Sequence, residues 1–206
     1  MSLPDEIPLF PLDVVLLPHR RLPLHIFEPR YREMIALCIE DEIEFGIVWG
    51  SDDDFQQIGC AGRVAELLTR FPDGRMNIVS VGTSRFRVLE RLDTHAYISA
   101  RVEPYEDSTE DVDPELGDRV LGHYREALKL SLGWYRPDQS QDVNYHDLSF
   151  EVAGNMQLSQ AEQQTILEMR STNDRLLAEE ELLEVTLKSL RATSLSFGGN
   201  GHISPN

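Results

Sequence analysis

The sequence predicts an α+β fold, in which a mainly antiparallel β-barrel with one packed helix is followed by a C-terminal α-helical bundle. Residues 7 to 107 consist of short apolar segments separated by Pro and Gly, at the spacing of roughly 8 to 12 residues that is typical of small barrels. Residues 103 to 113 hold six acids and mark a change of composition. The chain after them has helical periodicity, which favours helices over strands.

The N-terminal half is interpreted as a series of strands. Apolar segments predict strands at 7–10, 14–17, 22–26, 43–49, 64–71, 76–81, 86–92 and 97–102. Pro11 separates the first two, and Gly82 interrupts what would otherwise be one long strand. The segment Pro72-Asp73-Gly74-Arg75 predicts a tight hairpin turn, because glycine adopts the positive φ that such turns need.

Only one helix is predicted in this half of the chain. Pro29 suits a first helical turn, where its missing N–H would have no partner in any case. Tyr31, Met34, Ile35 and Cys38 then fall on one face. We expect this face to pack on the sheet.

Four helices are predicted after the acidic segment. They cover 114–132, 148–156, 160–169 and a stretch that begins near 172, in which Thr172 or Asn173 provides the cap. Ser159 and Glu162 form a capping box for the third of them. The resulting division is a barrel at 1–107, a helical bundle at 108–193 and a flexible tail at 194–206.

The charge of the chain argues against two classes of partner. Acids outnumber Lys and Arg by 36 to 19, a net charge of −17. Residues 1–107 carry 11 bases and 19 acids, and 108–206 carry 8 and 17, so the charge is not an acidic tail. Such an excess repels nucleic acid at long range. No apolar run approaches the roughly 20 residues of a membrane span, and the N-terminus lacks the features of a signal peptide. We therefore expect a cytoplasmic protein that binds neither nucleic acid nor membrane.

Catalytic and metal-binding motifs are not found in the sequence. It contains no Walker motif, no G-x-S-x-G elbow and no H-E-x-x-H pair. Cys38 and Cys60 are interpreted as free thiols. His19 and His25 with Glu28 are interpreted as ordinary polar residues at strand edges, and the acids at 52–54 as a solvated turn. We predict no catalytic residue, no cofactor and no metal site.

Arginine clusters raise an alternative, an RNA-binding barrel. The arginines concerned are Arg20, Arg21, Arg30, Arg32, Arg85, Arg87 and Arg91. Because their half of the chain is acidic, ion pairs with neighbouring carboxylates are the favoured interpretation.

Aromatic residues supply the candidates for binding polypeptide. Phe27, Tyr31 and Trp49 lie in patterned segments and are predicted to be core residues. Trp134 and Tyr135 lie in the break between two helices. They are the predicted surface aromatics, and the predicted polypeptide-binding residues.

Three segments carry a family resemblance: IPLFPLDVVLLPHRRLPLHIFEPRYREMI, GCAGRVAELLTRFPDGRMNIVSVGTSRFRVLE and YISARVEPYED. They resemble, in order, the N-terminal substrate-recognition domain of the ATP-dependent protease Lon. The later segment LSFEVAGNMQLSQAEQQTILEMRSTNDRLLAEEELLEVTLKSLR is similar to the helical part of that family. The opening is similar to standalone members of the family, and the Lon-like region of cereblon is of the same type.

The resemblance implies a PUA-like barrel followed by a helical bundle, with recognition of unfolded or damaged polypeptide. The AAA+ motor and Ser-Lys peptidase of full-length Lon have no counterpart in these 206 residues. We therefore predict a non-catalytic polypeptide-binding or adaptor module, with a protease or chaperone as a further partner. The acidic surface is expected to favour basic clients through steering. The alternatives are the RNA-binding barrel and an enzyme whose site is not recognised.

Overall fold

The structure, a computed structural model, describes residues 3–133 and 143–198. These residues contain a six-stranded sheet and five helices. They divide into two compact units. Unit 1 takes the described residues up to Asp107 together with Ala153–Arg170, and unit 2 takes Ser108–Val152 and those from Ser171 onward. None of the helices in the described part of the chain is both long and apolar enough to span a membrane.

Unit 1 contains the sheet. Its strands are β1 Glu6–Leu12, β2 Arg21–Ile26, β3 Phe45–Trp49, β4 Ile58–Arg70, β5 Met76–Leu92 and β6 Ser99–Pro104. They are ordered β2-β5-β4-β3-β1-β6, and β6 also pairs with β5. The β1–β3 pairing is parallel, and the other pairings recorded among the described strands are antiparallel. Following the pairings from β5 through β4, β3, β1 and β6 therefore returns to β5.

The helices are α1 Pro29–Glu40, α2 Pro114–Leu132, α3 Tyr145–Asn155, α4 Gln160–Glu168 and α5 Thr172–Gly198. The prediction for α1 is confirmed, since Tyr31, Met34, Ile35 and Cys38 are its buried residues. The bounds predicted for α2 match the structure. The capping box of Ser159 and Glu162 is also present at the start of α4.

The hairpin turn is confirmed between β4 and β5. Gly74 has φ of 86°, in the left-handed region that favours glycine. The N–H of Phe71 donates to the carbonyl of Arg75 at 2.8 Å, and the N–H of Gly74 donates to the carbonyl of Phe71 at 2.9 Å. The turn residues in the sequence therefore fixed the register of this hairpin.

Three details of the strand prediction were wrong. The segment 14–17 is not a strand: Val15, Leu16 and Leu17 are buried in irregular backbone. Their apolar character reflects burial alone, because ladder pairing on β5 begins only at Arg21. Pro11 lies inside β1 and does not end it. Gly82 lies within a continuous 17-residue β5, where the chain around residues 17–20 approaches it too closely for a Cβ.

The cap of α5 also differs from the prediction. The side chain of Ser171 accepts a hydrogen bond from the N–H of Asp174 at 3.0 Å. Ser171 therefore caps the helix, and Thr172 and Asn173 lie in its first turn. The backbone stays helical to Gly198, five residues past the predicted limit of the bundle at 193.

The core of unit 1 is built around Phe86, which is fully buried. Around it lie the buried apolar residues Ile7, Leu9, Val48, Ala61, Ile98, Ala100 and Val102. A Cβ added at Gly46 would lie 2.6 Å from Cζ of Phe86 and 2.8 Å from methyl groups of Ile7 and Leu9. Glycine at 46 on β3 is therefore required by the ring that fills the core.

We expect Gly46→Ala to lower the free energy of unfolding by about 1 to 3 kcal/mol, the cost of overpacking a core. The matched control is Gly122→Ala in α2, where an added Cβ meets nothing within 4 Å. There, the same change should raise the free energy of unfolding by up to about 1 kcal/mol, since alanine favours a helix over glycine. Urea unfolding measures the change in the free energy of unfolding for each variant, and the two changes should have opposite signs. Equal effects would contradict the packing argument.

Unit 2 contains α2 and α5 packed against one another. Leu176, Leu183 and Leu187 form a buried apolar stripe on α5. Exposed ion pairs join the same two helices, with Arg119 donating to Glu180 at 2.8 Å and Arg191 to Glu126 at 2.8 Å. The apolar stripe, more than these pairs, holds the helices together, since exposed ion pairs contribute little.

Candidate functional site

Trp134 and Tyr135, the aromatic residues predicted to bind polypeptide, lie outside the described residues. Their role stays a prediction. The surface that the structure does describe has its most accessible large aromatic residue at another position.

Phe27 is 58% exposed, so the prediction that it is a core residue was wrong. Ile26, the last residue of β2, is buried, and neighbouring side chains of an extended chain point to opposite faces. Phe27 therefore points outward before α1 begins at Pro29. Tyr31 is buried as predicted, and Nε1 of the partly buried Trp49 donates to Asp13 at 3.1 Å.

A row of rings and one cation extends from Phe27 across the end of the hairpin. The His25 ring is stacked 5.9 Å from that of Phe27 and lies edge-on 6.3 Å from that of Phe71. Arg75 lies over the Phe71 ring, 5.1 Å from its centroid. Nδ1 of His25 lies 2.6 Å from Oδ1 of Asn77, which fixes the histidine ring. The row is thus held in place from two strands.

Two exposed leucines belong to the same part of the sheet. Leu67 and Leu68 lie near the end of β4, where the register shifts between Leu67 and Thr69. We call Phe27, Leu67, Leu68 and Phe71 the hairpin surface. Exposed apolar groups of this kind mark interaction sites when they lie close together.

A groove of about 320 Å³ lies between α1 and the hairpin. Its lining residues are Pro29, Arg32, Glu33, Ala36, Arg70, Gly74 and Met76. Arg32 spans the gap, since its Nη1 donates to the backbone carbonyl of Asp73. Nη2 of Arg70 lies 3.7 Å from the sulfur of the buried Met76. We call this the arginine groove.

The two arginines of the groove differ from the neighbouring Arg75. Arg75 pairs with Asp73 at 2.7 Å, and hydrogen bonds from the Arg75 backbone and side chain hold the pKa of that carboxyl below its usual range. Among the described residues, neither Arg32 nor Arg70 has a carboxylate within ion-pair distance. Both retain N–H groups for a ligand.

Most of the arginines considered for RNA binding are paired. Arg21, Arg30, Arg85, Arg87 and Arg91, five of the seven, contact carboxylates. Arg20 donates instead to the side-chain oxygen of Gln163 at 2.6 Å. These arginines are close together in the sequence, but each of them makes its own separate contact within the protein.

The two cysteines and Asp52 are also in environments that indicate a structural role. Burial raises the pKa of the Cys38 thiol to about 12 and also raises that of Cys60. Asp52, predicted to lie in a solvated turn, instead accepts hydrogen bonds from Arg30 and from the Tyr31 hydroxyl. Within residues 3–133 and 143–198, no three His, Cys, Asp or Glu side chains are grouped to hold a metal ion.

A family model described as the ATP-dependent protease La (LON) substrate-binding domain matches residues 6–185. The chain is 29% identical over 192 residues to a Lon protease of Desulfovibrio desulfuricans, an alignment that covers 85% of this chain and 22% of that protein. It is 26% identical to the Lon protease of Escherichia coli K12, covering 83% of this chain and 24% of that protein. The chain thus spans about a quarter of the length of these relatives.

Two solved structures are similar to this one. A Lon N-terminal domain protein from Xanthomonas campestris matches with a TM-score of 0.66 and 26% identity, over 87% of this chain and 97% of that one. The N-terminal domain of a Mycobacterium avium complex Lon protease matches with a TM-score of 0.69 and 16% identity, over 87% and 98%. The second likeness concerns the fold alone.

Proposed function

This chain belongs to the LON substrate-binding domain family, and from that premise we propose that it is a non-catalytic module that binds unfolded or partly unfolded polypeptide. The hairpin surface carries the proposal. It presents a fixed aromatic row and exposed leucines. Extended polypeptides offer apolar side chains that folded proteins bury, so such a surface discriminates between the two.

The fold supports this proposal through rigidity. We infer a PUA-like barrel from the circuit of pairings β5, β4, β3, β1, β6 and back to β5, and a helical bundle in the later part of the chain. A closed circuit leaves few free strand edges. The hairpin surface thus lies on a framework that holds its side chains in place before binding.

Strand addition at β2 is a less favoured mode of binding. β2 is the end strand of the sheet, but Pro23 lies in its middle and removes one backbone donor. Proline on an edge strand is a common obstacle to strand pairing. Side-chain contact at the hairpin surface, and not backbone pairing, therefore provides the binding energy that we propose.

Delivery of clients to a separate protease or chaperone in the cytoplasm is the wider role that we propose. RNA binding has less support, because five of the seven candidate arginines contact carboxylates. The net charge of −17 also disfavours it.

The test compares reduced, carboxyamidomethylated ribonuclease A with the native enzyme, in a fluorescence anisotropy titration with the full chain. We expect only the unfolded form to bind. Phe27→Ser should weaken binding about tenfold. Burying a phenyl ring in the complex contributes about 1.5 kcal/mol or more to the free energy of binding, and the serine variant loses this contribution. Leu89→Ser is the matched control, because Leu89 is also exposed, at 52%, but lies toward the other end of β5.

Two outcomes would contradict the proposal. Equal binding of native and unfolded ribonuclease would remove the recognition of unfolded chain. Unchanged binding by Phe27→Ser would remove the hairpin surface as its site.

A further inference from the structure

We propose that the arginine groove selects a polypeptide segment in which an acidic side chain lies next to an apolar one. This inference rests on the proposed function and adds the chemical class of the segment that is bound. The acidic side chain would contact Arg32 and Arg70, and the apolar one would contact the uncharged residues that line the groove. It also differs from what the net charge alone predicts, which is a preference for basic clients.

Arg32 is held in place at one wall of the groove. Its Nη1 donates to the carbonyl of Asp73, and a Cβ added at Gly74 would lie 3.2 Å from the same Nη1. The guanidinium therefore lies against the hairpin turn. Guanidinium has five N–H donors in a planar fork, so one bond to the turn leaves donors for a carboxylate.

Arg70 lies at the other wall, at the end of β4 and opposite Met76 in the ladder. The contact recorded for its guanidinium is the thioether of Met76, a weak acceptor. A shortage of acids does not explain this, because the chain has 36 acids and 19 Lys and Arg. Two arginines lining one groove in so acidic a chain, neither with a carboxylate of the described residues within ion-pair distance, point to a ligand that supplies the carboxylate.

The floor and size of the groove favour an apolar neighbour for that carboxylate. Met76 is almost fully buried, and Pro29 and Ala36 are the other uncharged side chains. A volume of about 320 Å³ is at the lower end of the usual pocket range of about 300 to 1,000 Å³. One or two side chains fill such a volume. Glu33 is the only acid in the lining, so arginines outnumber carboxylates by two to one.

The overall negative charge does not oppose this contact at physiological salt. The Debye length at 0.15 M is about 8 Å, so charges on distant parts of the surface are screened. Hydrogen bonds between guanidinium and carboxylate act at contact distance and are the stronger kind. The net charge affects how fast a segment approaches, and the groove determines which segment stays bound.

The test uses short fluorescein-labelled peptides with amidated C-termini and a central Leu-Glu-Leu, Leu-Gln-Leu or Leu-Lys-Leu between Ser and Gly residues, at about 0.15 M salt. We expect the Glu peptide to bind the full chain about tenfold more tightly than the Gln peptide, and the Lys peptide to bind most weakly. Arg32→Gln and Arg70→Gln should each remove most of the difference between Glu and Gln.

Arg63→Gln is the matched control. Arg63 is exposed on β4, seven residues from Arg70, and is not part of the groove. It removes the same charge from the same strand, so it should leave the preference for Glu unchanged. A loss of preference in Arg63→Gln equal to that in Arg70→Gln would overturn the inference in favour of a general charge effect.

Two further results would overturn it. Equal affinities for the Glu and Gln peptides would do so even if Phe27→Ser weakens both, and in that case the proposed function stands. A gain seen only when the Gln peptide carries a free C-terminal carboxylate would identify the chain terminus as the ligand in place of an acidic side chain. Circular dichroism confirms that each variant is folded, and the comparison of peptides on the unaltered protein needs no variant.

Discussion

Arg85→Met is expected to lower the free energy of unfolding by about 3 to 5 kcal/mol, the cost of breaking a buried ion pair from one side. The Arg85 side chain is only 3% exposed and contacts Asp107. Its Nη1 also donates to the carbonyls of Leu167 and Met169, each at 2.7 Å. Methionine fills about the same volume as the aliphatic part of the arginine side chain, but it has no hydrogen-bond donor. The carboxylate of Asp107 and the two carbonyls therefore all lose a charged donor.

The matched control is Arg87→Met on the same strand. Arg87 is 44% exposed, and its Nη1 lies 3.8 Å from Glu103. Exposed pairs of this kind are worth about 0 to 1 kcal/mol, so this variant should stay close to the parent. Both are measured by urea unfolding, with hydrogen exchange to locate the change in unit 1 at β5 and α4. Equal stabilities of Arg85→Met and Arg87→Met would contradict the role of Arg85.

The Arg85 contacts also explain why residues 153–170 belong to unit 1. Asp107 and the end of α4 both contact the same guanidinium on β5. Gln164 adds a hydrogen bond from its amide to the carbonyl of Ile58 at 3.0 Å. The sequence alone predicts α4 to belong to the helical bundle at 108–193, because α4 lies between other helices in the chain. Contacts between residues more than 80 positions apart are not visible in periodicity, which reports only local structure.

Two features of unit 1, the buried face of α1 and the hairpin turn, could be predicted from residues that are close together in the sequence. The face of α1 follows from helical spacing, and the turn at Gly74 follows from the conformational freedom of glycine. The prediction for Phe27 was wrong because it counted apolar residues and did not apply the alternation of an extended chain. An aromatic residue at the end of an apolar run looks like core, but alternation turns it outward one residue after the buried Ile26.

The arginine groove was not predictable for a related reason. In the sequence, Arg32 lies beside Glu33 and near other acids, so an ion pair was the expected outcome. The fold brings Arg32 to the hairpin turn and Arg70 to Met76. Which carboxylates lie within reach of a given arginine is a property of the tertiary structure. The absence of a Walker motif, a G-x-S-x-G elbow and an H-E-x-x-H pair predicted no catalytic or metal site, yet recognition of polypeptide requires no such motif.

Arg175 in unit 2 provides the second large effect. It is fully buried, although its place among Leu and Glu residues on α5 is that of a solvent-facing charge. Nε donates to Oγ of Ser149 at 2.9 Å, and the guanidinium carbon lies 4.3 Å from the centroid of the Phe150 ring. Glu179, one turn later, is also fully buried. Buried charges are tolerated only when other groups compensate them, so this arginine is structural.

We expect Arg175→Met to lower the free energy of unfolding by about 3 to 5 kcal/mol, because the buried hydroxyls of Ser149 and Thr172 lose a charged donor and the Phe150 ring loses the cation over its face. Arg191→Met on the same helix is the control, since Arg191 is exposed and should cost no more than about 1 kcal/mol. If the charge of the buried Glu179 also contributes to the loss, adding Glu179→Leu to Arg175→Met restores much of the stability, because leucine places no charge in the interior. A double variant no more stable than Arg175→Met would assign the loss to the contacts with Ser149 and Phe150 instead. Urea unfolding of the four proteins separates the two causes.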